Sequence, residues 1–160
     1  MRLFSLGALA SFALSAFFVP SCATLHAQGA MPGMGQGGGQ EKGAALSAMG
    51  PWLAELDAAS YAQAWKDAGR TLQQKAPAED WVRTMRATRT PFGPCQRREL
   101  LSAFGQPVPP GPGSGSQGGY FVIAQFDSFF PGKHAVENVV FEKQPDGSYK
   151  AAGYTIQPKG

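Results

Sequence analysis

Only two cysteines, Cys22 and Cys95, occur in this 160-residue chain. Cys22 lies in the N-terminal segment, where it is either removed or consumed by lipid, so an internal disulfide is excluded and with it a cysteine-stapled scaffold. Cys95 is expected to be buried and inert, because one thiol and His134 fall short of a metal site or a Cys-His nucleophile. No Ser-His-Asp set, metal-ligand spacing or phosphate loop is present. The glycine-rich stretches lack the strand-to-helix setting and the Lys-Ser/Thr ending that a nucleotide loop needs. No cofactor is expected. A bilayer-spanning run is missing too: Leu3 to Val19 is apolar but interrupted by Gly and Ser, and falls short of the roughly 18–20 residues required.

That run, with Arg2 before it and small residues after it, reads as a secretory signal over residues 1–27. Two cleavage chemistries compete. Val19-Pro20-Ser21-Cys22 resembles a lipoprotein box, which would anchor the protein to a membrane through Cys22, whereas Leu25-His26-Ala27 resembles an ordinary signal-peptidase site. Pro20 argues for release, since its fixed φ and missing N–H suit an extended peptidase substrate poorly. The expected location is periplasmic or secreted, with a membrane-anchored lipoprotein as the alternative. Residues 28–43, which include Met31-Pro32-Gly33-Met34-Gly35 and Gly37-Gly38-Gly39, have almost nothing to bury and read as a flexible linker. A single domain remains over 44–158.

That domain has the means to fold: the chain is 43% hydrophobic and 11% aromatic. Ala44 to Gly69 reads as two helices, one with the stripe Trp52, Leu53 and Leu56, the other with Tyr61 and Trp65 at i,i+4 spacing. Asp57 and Ser60 are the expected caps between them. A third helix is expected from Pro77 to near Ala87, with Glu79 and Asp80 at its positive end and Trp81 and Met85 facing inward. From Phe92 onward the pattern becomes strand. Leu100 to Phe104 forms a short first candidate, and Pro107 to Gly119 is a loop too rich in Pro and Gly for a ladder. Strands are then expected over Tyr120–Phe130, Ala135–Lys143 and Tyr149–Ile156, the last two joined through Asp146-Gly147 as a hairpin.

Period-two alternation gives the third of these four strands one face carrying Ala135, Glu137, Val139 and Phe141. If that face points inward, desolvation penalises a bare carboxylate, and Glu137 needs an Arg, a Tyr hydroxyl or backbone donors beside it. The last strand places Ala152, Tyr154 and Ile156 together in the same way.

Several of these residues, taken together, resemble a known family. They are Trp52, Asp57, Tyr61 and Trp65, then Trp81, then Arg89-Thr90-Pro91-Phe92-Gly93 with Arg97, then Gly119-Tyr120, Glu137, Asp146-Gly147 and Gly153-Tyr154-Thr155-Ile156. The sequence is similar to the bacterial family catalogued as domain of unknown function 4019, over about Ala45 to Gln157. The resemblance implies an exported protein. It also implies an α+β fold in which two to three N-terminal helices pack on a curved antiparallel sheet of about four strands, similar to the cone of nuclear transport factor 2 and ketosteroid isomerase relatives. Cys95 and the lengthened loop at Pro109 to Gly119 depart from the family pattern.

Charge supplies the remaining candidates. Arg70 to Arg98 holds seven Lys or Arg residues, including Arg83, Arg86, Arg89, Arg97 and Arg98, which suggests either a solvated helix face with structural arginines or a site for anionic surfaces. Nucleic acid is not an expected partner, since export removes it and no stacking-aromatic motif accompanies the block. Arg89 and Glu137 form the expected polar pair, a guanidinium holding a carboxylate bidentately. The candidate binding residues are Arg89, Arg97, Glu137 and Tyr154. For catalysis, Asp57, Asp127 or Glu137 could serve as a general base if burial raised the pKa. The simpler readings are a helix cap for Asp57, a solvent-facing strand or loop residue for Asp127 and half of an ion pair for Glu137. The sequence therefore leads to an exported, non-catalytic domain that binds a small ligand or an envelope protein. A small enzyme with a carboxylate base and an anionic-surface binder are the alternatives.

Overall fold

The computed structural model describes residues 36–110 and 118–159. The expected signal segment with Cys22, residues 28–35 of the expected linker and most of the long Gly/Pro loop lie outside them. Four α-helices, α1 (Gln36–Asp57), α2 (Tyr61–Asp67), α3 (Arg70–Lys75) and α4 (Ala78–Thr88), precede a 3-10 turn at Thr90–Phe92. Four strands follow: β1 (Arg97–Val108), β2 (Gly119–Phe130), β3 (Lys133–Lys143) and β4 (Tyr149–Pro158). The class is α+β, as expected. No described helix is long and apolar enough to cross a membrane.

α1 begins inside the stretch expected to be linker, so residues 36–43 are helical and not tether. Docking decides this. The Glu41 carboxylate accepts hydrogen bonds from Lys143 and from the Tyr149 hydroxyl on the last hairpin, and Ala45 and Met49 are fully buried. These contacts offset the low helix propensity of the glycines. At its other end α1 stops at Asp57, but not through a cap. The Ala59 N–H reaches the Leu56 carbonyl at 3.1 Å and the Ser60 N–H reaches that of Glu55 at 2.8 Å, the paired closure of a Schellman motif. Ala59 therefore sits at φ 55°, where a Cβ is unfavourable and glycine is not. Ala59→Gly is expected to raise stability by about 1 kcal/mol, read as a higher urea midpoint. Ser60 makes no side-chain cap bond to α2.

The three tryptophans tie the helices together. Each indole N–H donates to a main-chain carbonyl on another segment: Trp52 to Ala64 at 2.8 Å, Trp65 to Ala76 at 2.7 Å and Trp81 to Tyr61 at 3.1 Å. A buried indole needs such a partner, and the Ala64 and Ala76 carbonyls lie in or just past the last turns of α2 and α3, where acceptors are left over. α3 has no periodic signal in the sequence and depends on a distant residue. Glu142 of β3 takes the Thr71 N–H at 3.1 Å and the Thr71 hydroxyl. Gly69 makes room for this, since a Cβ there would overlap the Glu142 carboxylate.

The sheet runs β1-β2-β3-β4, antiparallel throughout. Gly147 at φ 84° closes the β3–β4 hairpin. β1 is longer than the expected Leu100–Phe104 and contains Pro107, paired with Tyr120; as an edge strand it tolerates a residue with no N–H to donate. Its apolar Leu100, Leu101 and Phe104 are exposed. The alternation expected for β3 holds, with Ala135, Glu137, Val139 and Phe141 buried against the helices. Trp52, Leu53, Leu56, Trp81, Phe126 and Phe141 belong to the main core, while Cys95, Phe130 and Ala135 form a smaller one with Phe92 and Ile156 against it. The Cys95 thiol is buried and donates to the Arg97 carbonyl at 3.3 Å.

α1 and α2 also meet through a carboxyl pair, Glu55 and Asp67. Burial, then the hydrogen bond and charge of Asp67, push Glu55 up to about 7. The Gln63 amide at 2.7 Å and the bond from Glu55 hold Asp67 below its usual range. The shared proton therefore resides on Glu55. Its folded value lies above the ordinary 4.5, so its contribution to stability is complete below that pH and is lost as pH rises through 7. Glu55→Gln is expected to flatten the fall in urea midpoint between about pH 4.5 and 7.

Candidate functional site

Where the sheet meets the ends of α1 and α4, the fold buries two arginines and two carboxylates together. Asp57 is the last residue of α1, where the carboxylate meets the negative end of the helix dipole and needs cations. Arg98 supplies a fork to it, Nη1 to Oδ2 at 3.2 Å and Nη2 to Oδ1 at 3.0 Å. Arg89, just past the end of α4, adds Nη2 to Oδ1 at 2.5 Å and gives Nη1 to the Gly93 carbonyl at 2.7 Å. The Arg89 guanidinium also lies 4.6 Å from the centroid of the Phe130 ring, a cation–π placement.

Glu137, fully buried on β3, is held by four groups. Arg98 Nε donates to Oε2 at 2.6 Å and Nη2 to Oε1 at 3.4 Å. The Ser128 hydroxyl donates to Oε2 and the Tyr154 hydroxyl to Oε1 at 2.5 Å. Arg89 contributes charge only: its Nε is 3.8 Å from Oε1, past hydrogen-bond distance, and is buried with no acceptor. Burial pulls the Glu137 carboxyl upward, but the Arg98 charge and these bonds outweigh it and hold the group below the ordinary carboxylate range. Tyr154 is pushed up by its own burial and by the Glu137 charge. Two guanidiniums balance two carboxylates, and the chemistry of the cluster is that of a locked ion lattice.

The sequence candidates are thus partly assembled and partly scattered. Arg89, Glu137 and Tyr154 come together, but the bidentate partner of the carboxylates is Arg98, not Arg89. Arg97 is elsewhere: exposed, paired with Glu99 and 3.9 Å from the centroid of the Phe129 ring on the opposite sheet face. Strand alternation explains the exchange, since neighbouring residues point to opposite faces and Arg98, opposite Ser128, is the one that faces inward. Asp57 is an ion-pair member and not a cap. Asp127, expected to face solvent, is buried and bound to Lys159 at 2.6 Å. Arg98 and Ser128 were legible in principle: continuing the period-two pattern of β1 back from Leu100 puts Arg98 on the core face. Among the described residues no three His, Cys, Asp or Glu side chains gather as a metal site would require.

Two members of the basic block leave the surface. Arg89 and Arg98 are buried in the lattice, and Arg83 and Arg97 are paired with Asp80 and Glu99. A groove of about 640 Å³ does open beside the lattice, between Ala87 and Thr88 at the end of α4, Pro91 and Phe92 of the 3-10 turn, and the Lys133 and Ile156 ends of β3 and β4. A smaller hollow of about 330 Å³ lies over the α1–α2 junction, near Ser60, Lys66 and Arg86.

The family described as Protein of unknown function (DUF4019) matches residues 48–154, and the chain belongs to it. The matched stretch includes every member of the lattice: Asp57, Arg89, Arg98, Ser128, Glu137 and Tyr154. No curated protein and no solved structure matches the chain.

Proposed function

We propose, with membership of that family as the premise, that this is an exported, non-catalytic domain that binds a small ligand. The observation that carries the reading is the state of Glu137. A general base at neutral pH needs a raised pKa and an open path to a substrate proton, whereas this carboxyl is held low by Arg98 and covered by four donors. Asp57 is likewise bound by two arginines. The groove beside the lattice is in the size range of small-molecule sites, roughly 300–1,000 Å³. The lattice then has a structural role, fixing the wall against which a ligand rests.

Two measurements test this. Glu137→Gln is expected to lose most of its folding, because Arg98 and Arg89 then share one carboxylate between them. A Glu137→Gln protein that folds normally and has lost a measured turnover overturns the reading in favour of an enzyme. Native mass spectrometry of the protein taken directly from cell extract is expected to show a small molecule at one per chain. The exposed apolar edge of β1 favours the envelope-protein version of the reading. A bound polypeptide in that spectrum, lost in Leu101→Lys, would move binding from the groove to that edge.

A further inference from the structure

We infer that the groove takes an amphiphilic anion, with an apolar body on Phe92 and Ile156 and an acidic head on Lys133 and Lys159. This rests on the ligand-binding reading above and names the class of ligand.

The floor is apolar and packed from beneath. Phe92 packs in a tilted arrangement on Phe130 at 5.2 Å between centroids, and Phe130 lies under the Arg89 guanidinium. Phe92 and Ile156 both pack on the small core of Cys95, Phe130 and Ala135. The buried lattice thus fixes the floor from beneath. Around it stand Lys133, His134 and Lys159, and no carboxylate lines the groove.

Both ammonium groups are placed by one bond each. Lys133 Nζ donates to the Pro91 carbonyl at 2.6 Å and Lys159 Nζ to Asp127 at 2.6 Å. An ammonium has three N–H donors, so each keeps donors for a ligand while its position is already set. The two differ in charge. Lys159 is neutralised by Asp127, whereas the Lys133 acceptor is a neutral carbonyl, which leaves a full positive charge over the Phe92 edge of the floor. Charge complementarity therefore selects an anion, and the apolar floor selects one with a hydrocarbon or aryl body. Such a head and tail belong equally to a free fatty acid and to an anionic membrane lipid.

Decanoate and 1-decanol, with the same tail and different heads, separate charge from greasiness in titration calorimetry on the full chain. Decanoate is expected to bind at one per chain and roughly tenfold more tightly than decanol, about what one charge-assisted hydrogen bond contributes. Lys133→Gln is expected to erase that difference without moving decanol. Ala87→Trp, at an exposed helix position on the groove wall, is expected to block both ligands with an unchanged thermal melt. Equal affinity for the two ligands overturns the anionic class and leaves the binding reading standing. Decanoate affinity unmoved by Ala87→Trp overturns the location. Absence of decanoate binding overturns the proposal, and the native mass spectrum then decides separately whether a ligand of another class is carried. Retention on phosphatidylglycerol vesicles that survives Ala87→Trp overturns it in favour of a membrane-surface contact.

Discussion

Arg98→Ala is expected to cost about 3–5 kcal/mol, the loss seen when one partner of a buried ion pair is removed, and to leave much of the protein unfolded at room temperature. Arg98 hydrogen-bonds both carboxylates of the lattice, Asp57 and Glu137. Without it Glu137, fully shielded from water, keeps the Ser128 and Tyr154 hydroxyls but has only the distant Arg89 charge at 3.8 Å to balance it. A typical domain has a total stability of about 5–15 kcal/mol, so one such loss consumes a large part. Urea unfolding followed by far-ultraviolet circular dichroism reads the midpoint directly. The double variant Arg98→Met, Glu137→Gln is expected to recover part of the loss, because it removes a charge together with its partner. A loss below about 1 kcal/mol in Arg98→Ala, the size of an exposed pair, would show that water reaches Glu137 and that the lattice is not dry.

Trp52→Ala is the second large effect, at about 3–5 kcal/mol for an aromatic removed from a core. Trp52 packs against Trp81, Phe141 and Tyr154 at centroid distances of 6.1, 5.8 and 6.0 Å. It is the point where α1, α4, β3 and β4 meet. The substitution opens a cavity and also orphans the Ala64 carbonyl, which accepts the indole N–H. Trp52→Phe separates the two losses, since most of the volume returns and the donor does not; it is expected to cost about 1–3 kcal/mol, the range for a buried polar group left unmade. Near-ultraviolet circular dichroism at the indole band, with urea midpoints, checks both. Equal destabilisation by Phe and Ala would mean that the hydrogen bond, and not the packing, is what Trp52 contributes.

How the elements were legible follows from the range of the forces that set them. The β3–β4 hairpin needed only Asp146-Gly147 and the apolar alternation on either side, and α4 only Pro77, Glu79 and Asp80 at one end with Trp81 and Met85 inside. Each is a matter of neighbours in the chain. That Glu137, if it faced inward, would need an Arg, a Tyr hydroxyl or backbone donors was also legible, because alternation fixes a face and burial fixes a demand. Which arginine would meet that demand was legible only by continuing the alternation of β1 back from Leu100. Arg89 and Arg97 sat in the recognisable segment, but Arg98 faces the core.

What the amino-acid order determined by itself, then, was the α+β class, the run of helices before strands, the hairpin and one carboxylate on a buried face. These depend on side-chain periodicity and turn chemistry, which act over a few residues. The tertiary structure decided the rest. It made residues 36–43 helical through Glu41, capped the start of α3 with Glu142 from 71 residues away and gave Asp57 and Glu137 a common cation in Arg98. Burial is the physical reason: a charge or a helix end withdrawn from water must be matched by whatever group the fold brings within about 3 Å, and sequence distance has no part in that choice.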